Sequence, residues 1–437
     1  MPHTFSVETF QAARLIPVTG IKGSLDQERR SSSALLAVMR IVPEFAHALT
    51  KEVGAPKGAI ATFIEPEFKM GQKKIRPDGL IVITRGKREW RALVEVKTGK
   101  NDLDLVQITS YLDICKEHKL DALITISNEV LNASGTHPTA GIDSRKLRST
   151  ALLHLSWLKI LTEAIVLSEH VGVDDTERDM VLKELIRFLQ ADSSGASEFN
   201  DMGPAWARVR ELVRTSALPK PDQEVLDTVA RFESLVRYAA FTLSARLGVE
   251  AREMVPKAAK LNYRSHLNVV AQGLLETKTL SGGIMIPGAA AEMTVIADLG
   301  SGLLRCECSI DAPAEGRNRS RVNWATRQLK SEPKGLVLSW NYKRSRTRER
   351  SHSVADLLDK NYEFELQNDR EITSFTIELI TKMGTKRSSG AGGFIDSVVA
   401  AYEGFYGQVL QGFRPWQSPA PKLSESVKEL IPERIPE

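Results

Sequence analysis

Residues 75–111 read IRPDGLIVITRGKREWRALVEVKTGKNDLDLVQITSY. This stretch holds two apolar runs, a short turn and a helical repeat in immediate succession. The first run, Ile75–Ile83, carries Pro77, Asp78 and Gly79 near its start, and the turn falls at Arg85, Gly86 and Lys87. The second run, Trp90–Thr98, is interrupted by Glu95 and Lys97. Strand residues two apart share a face, so Glu95 and Lys97 point the same way. Leu93, Val94, Val96 and the helix that follows mark the strand as covered. A charged pair facing a covered side needs a partner, because burying a charge unpaired is costly. Pro-Asp-Gly taken alone is turn chemistry. A spacing of 17 across one turn, however, sets Asp78 beside Glu95 in an antiparallel pair.

Two carboxylates and a lysine at one sheet edge are a donor set for a divalent ion, Mg2+ or Mn2+. Mg2+ takes few protein carboxylates and completes its shell with waters and phosphate. Such an ion polarises a phosphoryl oxygen, lowers the pKa of a bound water and steadies the leaving oxygen. A lysine beside it orients or helps deprotonate the water and balances charge. The chemistry expected is phosphodiester hydrolysis.

Upstream, Ser24 or Asp26 caps a helix predicted to run to about Thr50, with Leu35, Leu36, Val38, Met39, Val42 and Phe45 on its apolar face and a kink or split at Pro43. Glu28 lies in its first turn, where an acid also compensates the helix dipole. Residues 59–68 read as a strand. Downstream, Leu103–Lys119 has helical spacing, Ala122–Ser127 is a buried strand, and Leu152–Trp157 is a further strand that enters a helix. Short turns between the first three strands imply an antiparallel meander. A helix crossing between later strands implies a mixed sheet with helices on both sides.

Pro77-Asp78 followed by Glu95-x-Lys97, on the second and third strands of an αβββαβ order, resembles the PD-(D/E)xK nuclease superfamily. Gln107-x-x-x-Tyr111 on the next helix is similar to the Gln-x-x-x-Tyr motif of helicase-nuclease domains, and residues i and i+4 share a helix face. The resemblance covers roughly residues 20–165. It implies a restriction-endonuclease-like α/β core and Mg2+- or Mn2+-dependent cleavage of DNA, with RNA as an alternative. It also implies a setting in genome defence or repair. Asp78 and Glu95 would hold the ion, with the Val96 carbonyl and Glu28 completing its shell. Lys97 would serve the water, and Gln107 would orient Lys97 or a phosphate. The alternative is a protein that keeps the fold and only binds nucleic acid or another protein.

Length and charge bound the rest. With 437 residues the chain divides into two or three domains. The reading is a nuclease-like domain over 1–170, a helical connector over 171–270, and an α+β domain over 271–437 with a disordered tail from about 417. ADSSGASEFNDMG (191–203) reads as a linker. The formal charge is +4, yet Arg317–Arg350 holds eleven Lys or Arg against two acids. That block is expected to face phosphate, through Arg317, Arg319, Arg321, Arg327, Lys330, Lys343, Arg344, Arg346 and Arg348. Trp324, Trp340 and Tyr342 are candidates to stack bases. GTKRSSGAGG (384–393) reads as a mobile loop without the Gly-Lys-Ser/Thr of a Walker loop. Three cysteines make no disulfide framework, and Cys306 and Cys308 alternate as strand packing. No signal peptide, zinc spacing or membrane-length apolar run is present, so a cytoplasmic protein is expected. A second copy of the chain, or a partner protein on the C-terminal domain, is a further expected partner.

Overall fold

The structure is a computed structural model. It describes residues 14–418 apart from 71, 100, 131–136, 197–198, 330–334, 346–349, 360 and 368. Internal contacts divide the chain into two units. Met1–Gly288, Glu292–Cys306 and Thr381–Gly404 form the first, and Ala289–Ala291, Glu307–Ile380 and Phe405–Glu437 the second.

The first unit opens with α1 (Gly23–Ile41) and α2 (Pro43–Thr50). The expected split at Pro43 is present: proline sits in the first turn of α2, where its missing N–H has no partner to lose. Five strands follow the order β1-β4-β5-β6-β7. They are β1 (Ala59–Ile64), β4 (Gly79–Arg85), β5 (Arg88–Val96), β6 (Ala122–Ser127) and β7 (Ala151–Ser156), with β2 (Phe68–Met70) and β3 (Lys73–Ile75) forming a separate hairpin. The β1, β4 and β5 strands pair antiparallel, whereas β5, β6 and β7 pair parallel. The class is therefore mixed α/β. The first two strands are shorter than the sequence suggests, because Pro66 and Pro77 cannot donate to a ladder and Glu65 turns the chain at φ 47°.

Helices cover both faces. One face of the sheet packs Val94, Val96, Ile124 and Ile126 with α1, α2, α4 (Trp157–Ile165) and α5 (Thr176–Leu189). The other packs Leu93, Leu123 and Leu152 with Ile108, Tyr111 and Leu112 of α3 (Leu105–Glu117). Alternation along each strand decides which residues go where. The fit between α1 and β4 is close: a Cβ on Gly79 would lie 2.4 Å from a Leu36 methyl, so no larger residue fits there without displacement.

Residues 171–270 are not a separate connector. The α6 helix (Trp206–Arg214) leads to α7 (Gln223–Leu247), which packs on α4 and also on β8 (Arg252–Glu253) and on β9 (Thr279–Met285), a strand reached through α8 (Lys257–Leu261) and α9 (Tyr263–Thr277). Its apolar residues extend around more than one side, so it welds what lies before and after it into one unit. The segment 191–203 is likewise no free linker. Ser31 Oγ donates to the Ser194 carbonyl at 3.0 Å and Gly99 N to the Gly195 carbonyl at 2.9 Å. The first unit also contains β10 (Met293–Asp298) and the start of β11 (Leu303–Asp311). Cys306 and Cys308 are buried on one face of β11, as the alternation predicts.

The second unit holds the end of β11, then α10 (Asn318–Gln328), β12 (Leu336–Tyr342), β13 (His352–Ser353), α11 (Val354–Leu358) and β14 (Ile372–Lys382), ordered β13-β12-β14-β11 in its sheet. Residues 362–383, undecided from sequence, contribute the long strand β14. The proposed tail lies almost wholly outside the described residues. Among the described residues no single helix is long and apolar enough to cross a membrane.

Candidate functional site

The site forms where β4 begins and β5 ends. Gly79 pairs with Val94, so one step further the register sets Asp78 opposite Glu95. The main-chain N–H of Val96 donates to Asp78 Oδ2 at 2.7 Å, which fixes that carboxylate against the end of β5. Glu95 is 1% exposed. Lys97 Nζ donates to Glu95 Oε1 at 2.7 Å and lies 3.9 Å from Glu28 Oε2. The expected group of Glu28, Asp78, Glu95 and Lys97 is thus brought together from α1, β4 and β5.

Its electrostatics are unbalanced. Burial raises the Asp78 carboxyl above its ordinary range, with a further push from Glu28. Burial and the charge of Asp78 lift Glu95 to about 7. For Lys97 burial pulls downward, but the hydrogen bond to Glu95 and the charges of Glu95, Glu28 and Asp78 together hold the ammonium above its usual value. Three carboxyl groups face one cation among the described residues. Among the described residues no three Asp, Glu, His or Cys side chains form a ready-made metal cage. Two facing carboxylates with surplus negative charge nevertheless fit an ion content with few protein ligands, such as Mg2+ or Mn2+. Glu28 stands a step back: its Oε1 accepts from Asn101 Nδ2 at 2.7 Å, and its other oxygen faces Lys97.

Gln107 does not reach Lys97. Its Nε2 donates to the Tyr111 hydroxyl at 2.9 Å, and Tyr111 in turn hydrogen-bonds Glu95. The i, i+4 pair of α3 therefore acts as a strut on Glu95, and burial beside that carboxylate pushes the Tyr111 phenol further up. Two supports escaped sequence reading. Asn101 reaches Glu28 from the loop after β5, and Trp157 Nε1 donates to the Lys97 carbonyl at 2.9 Å.

The row containing Asp78 and Glu95 continues across the sheet. Glu95 pairs with Thr125, and Thr125 with His154. The Thr139 N–H donates to His137 Nδ1, so His137 carries its proton on Nε2 and donates to Thr125 Oγ1 at 2.9 Å. His154 Nε2 donates to the Glu129 carbonyl at 3.0 Å, leaving Nδ1 to accept from Thr125 at 3.1 Å. Burial pulls both imidazoles down to about 4. Both rings are neutral and fully used. The available signal was that His154 interrupts the apolar run LLHLSW, as Glu95 interrupts ALVEVKT.

The basic segment divides in the structure. Arg317, Arg319, Arg327, Lys343 and Arg344 are exposed. Arg321 is buried and donates to the carbonyls of Ile372 at 2.8 Å and Ala314 at 2.9 Å, so it ties α10 to its surroundings and offers no free charge. Lys330, Arg346 and Arg348 lie outside the described residues. The expected stacking aromatics are core: Trp340 and Tyr342 are buried in β12, and Trp324 packs on Phe375 and Phe413. Phe364 is half-buried with the Arg319 guanidinium 4.1 Å over its ring. The 384–393 loop is internally bonded. Gly393 N donates to the Gly390 carbonyl at 2.7 Å, and Gly390 N donates to the Asp396 carboxylate, which fills the place an anion would need.

Comparison with protein-family models, with curated proteins and with solved structures finds no match to this chain.

Proposed function

We propose that the first unit hydrolyses phosphodiester bonds in DNA with a bound Mg2+ or Mn2+, as a member of the PD-(D/E)xK nucleases with a restriction-endonuclease-like core. One observation carries the reading: Lys97 Nζ sits between Glu95 and Glu28 while Asp78 faces Glu95 across the β4–β5 pair. The succession of helix, antiparallel strands, helix and parallel strand around it supports the same reading.

Asp78 and Glu95 would hold the ion, with the Val96 carbonyl as a main-chain donor. When bound, such an ion supplies charge to the phosphoryl oxygens and acidity to a water. Lys97, held protonated by its carboxylate neighbours, donates a hydrogen bond and a positive charge rather than acting as a base. Glu28 and Asn101 restrict where that ammonium points, while Gln107 and Tyr111 fix the Glu95 carboxylate. Arg317, Arg319, Arg327, Lys343 and Arg344 supply phosphate contacts, which carry affinity without sequence information.

The test incubates purified full-length protein with plasmid, linear duplex, single-stranded DNA and RNA, in Mg2+, Mn2+ or chelator. Wild type is expected to cut DNA only with metal, and Asp78→Ala and Lys97→Ala are expected to leave it intact. Equal cutting by wild type and either variant, or none by wild type on any substrate, overturns the proposal.

A further inference from the structure

The first unit has a second set of buried ionisable groups, remote in sequence from Asp78, Glu95 and Lys97. They surround a cavity of about 260 Å3 lined from α7, α9, β9, β10 and the turn after β8. This is slightly below the usual range for drug-sized ligands, so the occupant is small. Its walls include Val229, Phe232, Val236 and Val270, and its polar lining includes Glu233, Glu253 and His266. Among the described residues no lysine or arginine belongs to that lining.

The carboxylates are set in place. Glu233 Oε1 bonds His266 Nε2 at 2.7 Å, and Glu233 Oε2 accepts from the Tyr263 hydroxyl at 2.9 Å. Glu253 Oε1 accepts from Arg237, a residue that lines a neighbouring cleft instead. The Glu253 side chain is only 10% exposed, and Arg237 is its ion-pair partner among the described residues. Burial lifts this carboxyl to about 7, with Glu233 adding to the push. Ion pairs in such a setting are weak contributors to stability and could be replaced by apolar packing. Perturbed groups lining a cleft point instead to a site. The strand on this wall carries Gly282 and Gly283, and packing accounts for both: a Cβ would lie 2.3 Å from a Val236 methyl and 3.2 Å from Met254, respectively.

We infer that this cavity binds a small organic cation, an ammonium or amidinium with an apolar body. Its N–H groups meet Glu253 Oε2 and the outer lone pairs of Glu233, and its hydrocarbon lies against Val229, Phe232, Val236 and Val270. An anion, and so a nucleic-acid phosphate, is disfavoured: two carboxylates line the cavity, and Arg237, the guanidinium paired with Glu253, lies outside the lining. The site does not depend on the proposed nuclease activity.

The experiment uses full-length protein at pH 8, with calorimetry and thermal melting. The probes are phenethylamine and benzamidine, with 2-phenylethanol and phenylacetate as neutral and anionic counterparts. Both cations are expected to bind and raise the melting temperature, and the counterparts are not. Glu253→Gln and Glu233→Gln should each weaken cation binding at least tenfold. Val270→Phe keeps every ion pair and fills the cavity, so it should abolish binding in a protein whose circular dichroism is unchanged. Asp78→Asn, at the separate catalytic row, should bind like wild type. Equal binding of the neutral or anionic probe, no binding of either cation, or undiminished binding to folded Val270→Phe overturns the inference.

Discussion

One row of side chains crosses the first sheet, and its two ends are built on opposite principles. At the β4–β5 end, Asp78, Glu95 and Glu28 crowd a single Lys97, and burial drives the Asp78 and Glu95 carboxyls upward. At the β6–β7 end, Thr125, His137 and His154 are neutral, and each ring nitrogen has one partner. The first end stores electrostatic cost, which a proton on Glu95 or a bound cation relieves. The second has nothing left to offer a ligand. Polar residues in a covered sheet thus divide into those that are satisfied and those held ready, and charge balance tells them apart.

Substitutions at the two ends should move activity and stability in different directions. Asp78→Asn removes a crowded charge but can still accept from Val96 N–H. Cleavage is expected to fall about a thousandfold, while metal-free stability rises by about 1 kcal/mol. A denaturation curve showing lower stability would break the comparison. Thr125→Val leaves the His137 Nε2–H without an acceptor and His154 Nδ1 without a donor. It should cost about 3 kcal/mol and leave cleavage per folded molecule within a few-fold, as judged by urea titration beside a rate assay.

The histidine end also predicts a pH dependence. Its imidazoles titrate at about 4 when folded, against the 6.5 of the free group. The unfolded chain therefore binds more protons between those values. Stability is whole above pH 6.5 and falls as pH drops toward 4, by about 2 kcal/mol per histidine at pH 5. Thr125→Val, which loosens this network, should flatten that slope; an unchanged slope would place the acid sensitivity elsewhere. The smallest effect concerns Gln107→Ala, which loosens Tyr111 and through it Glu95. About a tenfold loss of cleavage is expected, with Tyr111→Phe matching it. A Gln107→Ala variant that cuts as the wild type does would reduce that pair to packing.

Legibility differed along the same row. Glu95 and Lys97 were readable because parity on a strand is rigid, and Asp78 because a single turn fixes the offset between neighbouring strands. His154 obeys the same parity rule. Its place beside Thr125 depended on two parallel pairings reached through crossovers, which local spacing does not determine. Asn101 and Trp157 reach the site from a loop and from a later helix, with no periodicity to announce them. In the second unit, charge density singles out the segment but does not say which arginines remain exposed. Arg319 and Arg321 are two residues apart on α10, and the carbonyls of Ile372 and Ala314, with Glu371 3.9 Å from the guanidinium, make Arg321 a strut.

For the opening stretch, residues 75–111, the sequence by itself determined strand, turn, strand and helix, and the common face of Glu95 and Lys97. These are short-range properties, set by backbone period and turn chemistry. Only the tertiary structure decided that Glu28 arrives beside Lys97, that Gln107 bonds Tyr111, and that Ser194 and Gly195 pack instead of linking. Those outcomes turn on distances between elements far apart in the chain, where packing of whole helices on the sheet outweighs any local preference.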